Sequence, residues 1–254
     1  CMDPVSAAAT IACYMEINGR APEETDLTGL LRDTALSAGD GELLKRGSFR
    51  YAQEKGAGQL SMSVKKLELP AFDPRGSYGT ALSYVTSTRG GCCTDANAIS
   101  HEILRKPVAT DRYSFSGKAR IIKSSEDMYA AADSLGVCHN IFFTASLEEY
   151  ARLYTAVTGI EEDLHGLMLK GEKIFYNEKI MNRINGFSSA EDILPERFFT
   201  EGGSLNDGTP VPPIDRNAFL DERSRYYRIR GLSRDGLPLK EKTLELGLEW
   251  TDLN

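Results

Sequence analysis

The sequence predicts an all-α, multihelical fold with at most a short strand or two. Apolar residues recur three, four or seven apart along most of the 254 residues, serine, aspartate and proline stand where helices would begin, and glycine stands where they would stop. Only one stretch alternates with period two.

Asp3 and Pro4 open the first helix. The aspartate can cap, a proline at the first helical position loses nothing by lacking an N–H, and Val5, Ala8, Ala9, Ala12 and Met15 supply the apolar stripe. Chains usually begin with a few loose residues, so a helix opening at the third one predicts the tail of a longer protein. Asp26 opens a second helix with Leu27, Leu30, Leu31 and Leu36, and a third is expected after Gly39-Asp40-Gly41 through Leu43, Leu44 and Tyr51. Beyond Gly56-Ala57-Gly58, the alternation of Leu60, Met62 and Val64 is the expected strand. Pro70, Asp73-Pro74 and Gly76 mark a turn-rich connection, and the chain is expected to divide near here into residues 1–66 and 67–254.

Tyr78, Leu82 and Val85 resume helical spacing up to Arg89-Gly90-Gly91-Cys92-Cys93, after which Asp95 is expected to cap a helix through Ile99 and Leu104. The next stripe, Ile121, Ile122, Met128, Tyr129, Ala132 and Leu135, runs into Gly136. A glycine one past the last periodic residue can close a helix in the left-handed conformation, so Asp133 and Cys138 should flank a fixed turn. Ser146-Leu147-Glu148-Glu149 is a capping-box signature before Leu147, Tyr150, Leu153, Tyr154 and Val157, with Gly159 as the stop. A longer helix follows through Leu164, Leu167, Met168, Ile174, Phe175 and Met181 to Asn185-Gly186. Residues 188–213 read as a polar loop, Phe219, Leu220, Tyr226 and Tyr227 mark a last long helix, and a short one spans Lys240 to Leu246.

A net charge of −7 argues against a nucleic-acid partner, which would want a basic face to displace counterions. No run of about 18 apolar residues occurs and no basic-then-apolar leader precedes the first helix, so a membrane partner is not expected and a cytoplasmic location is. Cys1, Cys13, Cys92, Cys93 and Cys138 form no Cys-x-x-Cys pair, and His101, His139 and His165 show no short metal-binding spacing, so a self-sufficient zinc site is not expected.

Read alone, Cys138 is weak: a single cysteine usually packs, and one thiolate cannot hold an iron–sulfur cluster, for which four are normal. Cys92-Cys93 beside Arg89 would favour a thiolate, yet no base for nucleophilic catalysis is identifiable. Gly76-Ser77-Tyr78-Gly79 lacks the lysine of a phosphate loop. A helical interaction module using Tyr226 and Tyr227 as anchors stays open, although aromatics at helical spacing are more often core.

Several blocks together carry a resemblance. They are Met2-Asp3-Pro4-Val5-Ser6; Leu67-Glu68-Leu69-Pro70-Ala71-Phe72-Asp73-Pro74-Arg75-Gly76; Tyr84-Val85-Thr86-Ser87-Thr88-Arg89-Gly90-Gly91-Cys92; Asp133-Ser134-Leu135-Gly136-Val137-Cys138; Gly171-Glu172-Lys173-Ile174; Leu194-Pro195-Glu196-Arg197-Phe198; and Tyr226-Tyr227-Arg228-Ile229-Arg230-Gly231. In order and spacing the chain resembles the C-terminal part of the aldehyde:ferredoxin oxidoreductase family of tungstopterin enzymes.

That resemblance implies part of a middle helical domain in residues 1–66 and the C-terminal helical domain in 67–254. It implies oxidation of an aldehyde to a carboxylic acid with ferredoxin as electron acceptor. The cofactors implied are tungstopterin, or molybdopterin, and a 4Fe-4S cluster. Asp133, Gly136 and Val137 match one of the family's two pterin-holding turns, and Cys138 matches the cluster ligand that follows it. Asp3 matches the remnant of the other turn, with Cys1 where the family has glycine. Cys93 stands where many members carry a histidine near the metal, which leaves the catalytic residues unassigned. The family's N-terminal pterin-cradling domain and three further cluster cysteines would lie upstream. The isolated chain is therefore expected to bind no complete cofactor and to be inactive, with the missing domain, ferredoxin, a small aldehyde and a possible second copy as partners. The rival expectation is a non-enzymatic helical binding module or decayed enzyme fragment that docks a partner domain.

Overall fold

The computed structural model describes residues 2–138, 140, 142 and 144–248. Among them are twelve α-helices and four two-residue strands, so the all-α expectation holds and strand structure is confined to two ribbons. The chain divides into two compact units, each built from three separate stretches of sequence. One comprises Cys1–Gly76, Tyr84–Cys93 and Glu191–Arg216; the other comprises Ser77–Ser83, Thr94–Ala190 and Asn217–Asn254.

The first unit starts with α1 (Pro4–Ile17), capped as expected: Asp3 Oδ1 accepts from the N–H groups of Val5 and Ser6 at 2.8 and 3.0 Å. Helix α2 (Leu27–Leu36) is capped by Asp26. The expected third helix is two helices, α3 (Gly41–Leu44) and α4 (Ser48–Glu54). Gly47 breaks them apart at φ 87°, and the freed N–H of Ser48 donates to the buried Glu68 carboxylate at 2.6 Å. Cys13, Tyr14, Leu44, Tyr51 and Ala52 form this unit's core.

The expected strand is also corrected. Leu60 lies in a 3-10 turn, Gly58–Leu60, and only β1 (Ser63–Val64) pairs, antiparallel, with β2 (Leu67–Glu68). The turn residues Lys65 and Lys66 both have positive φ, 50° and 66°, the backbone of a tight hairpin that normally takes Asn-Gly. Long-range bonds hold it instead. Buried Lys65 pairs with buried Asp192 and donates to the Val85 carbonyl at 2.5 Å. Within residues 188–213, read as loop, stand α10 (Arg197–Thr200) and the ribbon of β3 (Gly203–Ser204) with β4 (Pro210–Val211).

Helix α5 (Tyr78–Thr86) begins among residues of the second unit. There Glu102 accepts from Gly79 N–H at 2.8 Å and pairs with Lys118 at 2.6 Å, both side chains about 1% exposed. Glu102 belongs to α6 (Ile99–Glu102), whose cap position is Ala98, not the expected Asp95. Helix α7 (Lys118–Ser134) packs against α9 (Leu164–Ile184) at backbone range: a Cβ added to Gly171 would lie 1.8 Å from the Asp127 carbonyl oxygen, which only glycine permits. Helix α8 (Leu147–Thr158) has the expected capping box of Ser146 and Glu149 and ends on left-handed Gly159. Helices α11 (Arg216–Arg230) and α12 (Lys240–Glu245) complete the unit. Tyr226 and Tyr227 on α11 are buried, which removes them as partner anchors. No helix among the described residues is long and apolar enough to cross a membrane.

Candidate functional site

Helix α7 ends in a closed turn. Gly136 takes φ 70°, its N–H donates to the Asp133 carbonyl at 3.0 Å, and the Val137 N–H donates to the Ala132 carbonyl at 3.4 Å. Among the described residues a Cβ placed on Gly136 would meet nothing within 4 Å, so the glycine serves the backbone conformation and leaves one face open to them. Asp133 and Cys138 are exposed, while Val137 is half-buried against the core cluster of Ala131, Ala132, Leu147, Tyr150, Ala151 and Leu167. One turn thus brings together four of the residues singled out in the sequence: Asp133, Gly136, Val137 and Cys138. His139 lies outside the described residues.

The lone-cysteine reading favoured burial for Cys138, and the structure corrects it. Cys13 is the packed thiol, and burial, with help from Glu16, pushes its pKa up to about 11. At pH 8 such a group is thiolate on the order of a thousandth of the time, and the thiol form is a poor nucleophile. Mild alkylation of this chain at pH 8 is expected to modify Cys138 well before Cys13 by peptide mass spectrometry; the reverse order would contradict the placement.

The donor set of the turn fits half of a larger cofactor site. A carboxylate can accept N–H groups from a ring system on the open glycine face, and an exposed thiol is a soft ligand suited to iron–sulfur chemistry. Among the described residues no group of three or more His, Cys, Asp or Glu side chains could hold a metal ion, so Cys138 can contribute one ligand.

Asp3 and Cys93 belong to the first unit. The Asp3 carboxylate already caps α1 through Oδ1, which leaves Oδ2 for any ligand. Cys1 lies outside the described residues. The Arg89–Cys93 loop rests on the β1–β2 ribbon: Gly91 N–H donates to the Val64 carbonyl at 3.1 Å, and a Cβ on Gly90, at φ 112°, would come within 2.5 Å of that same oxygen. The Arg89 guanidinium donates to the Cys92 sulfur at 3.7 Å. Cys92 is buried and Cys93 is half-buried. The first helix reaches the same ribbon through Ser6, whose hydroxyl donates to Glu68 at 2.8 Å.

What holds α7, and with it the turn, was not legible as a site. Arg230 is fully buried on α11; it donates to Glu126 at 2.6 Å, pairs with Asp127, and lies over the Phe175 ring at 4.4 Å. Burial by itself would lower the guanidinium pKa, but Tyr226, Glu126 and Asp127 outweigh it and the value is raised. Tyr226 donates to Glu126 at 2.5 Å. Lys123 pairs with Asp127 at 2.6 Å and Glu172 at 3.1 Å, and Lys242 with Glu172 at 3.2 Å. Three cations thus balance three carboxylates across α7, α9, α11 and α12.

Sequence reasoning also missed a cavity of about 1080 Å³ along α7. Its apolar wall includes Ile121, Met128, Tyr129 and Phe142, and its lining carries Lys106, Arg120 and His101 but no carboxylate. No spacing rule links the 100–107 segment to α7, and only the folded chain brings them together.

A family model described as aldehyde ferredoxin oxidoreductase, domains 2 and 3, matches residues 1–248. The chain is 34% identical over 265 residues to the tungsten-containing aldehyde ferredoxin oxidoreductase of Pyrococcus furiosus, covering 97% of this chain and 43% of the relative. It is 32% identical over 264 residues to the protein of the same description from Thermococcus kodakarensis, again covering 97% and 43%. Among solved structures it is similar to the active-site complex BamBC of benzoyl coenzyme A reductase with 1,5-dienoyl-CoA, with a TM-score of 0.76 at 18% identity over 98% of this chain and 44% of that one. At that identity the likeness concerns the fold. The chain spans about 43% of the length of the curated relatives it matches.

Proposed function

Since the chain belongs to the aldehyde ferredoxin oxidoreductase family, we propose that it is the helical C-terminal part of a cytoplasmic tungsten–pterin, iron–sulfur enzyme that oxidises aldehydes to carboxylic acids and passes electrons to ferredoxin. The observation that carries this reading is the turn Asp133–Cys138, with its open glycine face, exposed carboxylate and exposed thiol. When bound, the tungstopterin and cluster supply the oxygen transfer from water and the path for two electrons.

The chain's own residues hold and orient. The Asp133 carboxylate accepts pterin N–H groups, the left-handed Gly136 lets the backbone approach closely, and Val137 anchors the turn in the core. Cys138 gives one cluster ligand, the other three coming from the missing N-terminal domain. Asp3 offers Oδ2 to the second pterin while Oδ1 secures α1. Cys93 is not an equivalent of an imidazole at its position, because a thiol has a single proton and no second ring nitrogen through which to relay it. We therefore assign no proton transfer to it.

The test compares this 254-residue chain with the full-length protein. The full-length protein should contain tungsten and iron and convert an aldehyde and water to the acid, two protons and two electrons delivered to ferredoxin. The isolated chain should fold at least in part with neither metal nor activity. Iron, tungsten and activity found together in the isolated chain would overturn the half-site reading. A full-length protein without cofactors would favour the binding-module alternative.

A further inference from the structure

The cavity along α7 lies wholly within the second unit, and its wall changes character along the helix. Two rows of side chains spaced four apart line it: Arg120, Ser124 and Met128 in one, Ile121, Ser125 and Tyr129 in the other. From Arg120 to Met128 the helix rises about 12 Å, and over that length one face passes from a guanidinium through two hydroxyls to a thioether and an aromatic ring. Such a wall suits a molecule with a polar head and an apolar tail.

The head end is cationic and uncommitted. The segment carrying His101 and Lys106 is clamped to the start of α7, because Lys118 pairs with Glu102 at 2.6 Å and donates to Thr110 at 2.8 Å. Among the described residues the side chains of Lys106 and Arg120 find no hydrogen-bond or ion-pair partner. Ser125 is only 7% exposed, yet its hydroxyl bonds to no described residue. A buried hydroxyl left without a protein partner marks a place for a ligand atom. Carboxylates on the surrounding elements are taken up elsewhere: Glu102 by Lys118, Glu222 by the Ala119 N–H at 2.7 Å, and Glu149 by the Ser146 N–H at 2.6 Å. No carboxylate among the described residues lines the cavity, so its wall does not oppose an anion. The other end is apolar and fixed by packing. Phe142 meets Tyr129 at 5.4 Å between centroids, and Met128 and Phe142 pack on the core cluster that contains Ala132 and Leu147.

We propose that this cavity binds an unbranched monocarboxylate, its head held by Arg120, Lys106 and the Ser125 hydroxyl and its tail lying along Met128, Tyr129 and Phe142. A guanidinium fork matches a carboxylate in shape and charge, and a serine hydroxyl can donate to the same group. Both cations are exposed, so the charged head stays in contact with water while the tail leaves it, which avoids the cost of burying a charge. A volume of about 1080 Å³ lies at the upper end of small-molecule sites and leaves room for the tail. The inference uses no residue of the Asp133–Cys138 turn and stands apart from the metal reading.

Isothermal titration of the full-length protein with decanoate tests it. Decanol, which keeps the tail and lacks the charge, should bind about tenfold more weakly, the scale of a lost charge-assisted hydrogen bond. Octanoate should also bind about tenfold more weakly, because each methylene taken out of water contributes a factor of about four at most. Arg120 and Ser124 are exposed helix positions, so substitutions there should leave the far-ultraviolet circular dichroism native. Arg120→Gln should weaken decanoate about tenfold. Ser124→Glu, which sets a carboxylate beside the head, should abolish saturable binding. Equal affinity for decanoate and decanol overturns the proposal. So does decanoate binding that ignores both substitutions, which would put the ligand elsewhere on the protein, and so does the absence of decanoate binding.

Discussion

Arg230→Ala is expected to destabilise the second unit by about 3–5 kcal/mol, the usual range when one partner of a fully buried ion pair is removed. The guanidinium pairs with Glu126 and shares Asp127 with Lys123, and all three of Arg230, Glu126 and Asp127 have side chains no more than about 1% exposed. Without it Glu126 keeps the Tyr226 hydrogen bond but loses the Arg230 charge at a side chain that is 0% exposed. The loss should change little between low and moderate salt, since buried pairs are weakly screened. Chemical denaturation of the chain checks this. A cost below about 1 kcal/mol would mean that water enters the cluster in the folded state. Combining Arg230→Met with Glu126→Gln and Asp127→Asn should recover much of the loss, because neutralising all members removes the uncompensated charge.

That network shows where sequence reading stops. Glu126, Asp127 and Arg230 have the residue types of a solvated helix face, and nothing in a helical stripe says that three charges 103 or 104 positions apart will meet inside. The Lys65–Lys66 hairpin is hidden from the sequence for the same reason. Its turn chemistry is wrong for local stability and is stabilised by Asp192, far along the chain. By contrast, the Asp3 cap, the Ser146–Glu149 box and the Gly136 and Gly159 stops rest on bonds between residues a few positions apart, which local chemistry determines. The candidate site divides along that line. The shape of the Asp133–Cys138 turn is local and was readable. The exposure of Cys138, the cavity along α7 and the close approach of Gly171 to Asp127 arise only from packing.

On the proposed reading, only a short turn of this chain has to carry chemistry. Charge pairs tie the middle of α7 to α9, α11 and α12, and the C-terminal end of α7 presents a carboxylate, a left-handed glycine and a thiol. The proposed half-site would need such support, because a cluster bridging two polypeptide segments tolerates little misplacement of any ligand.

The most direct measurement is the iron content of the full-length protein with Cys138→Ala. A cluster that depends on this thiolate should be lost, with iron falling from about four atoms to near zero per chain, as expected for a four-cysteine 4Fe-4S site missing a ligand. The characteristic cluster signal should vanish and electron transfer to ferredoxin should stop, while the far-ultraviolet circular dichroism of the exposed-site variant stays native. Unchanged iron content and an unchanged rate of electron transfer would contradict the account.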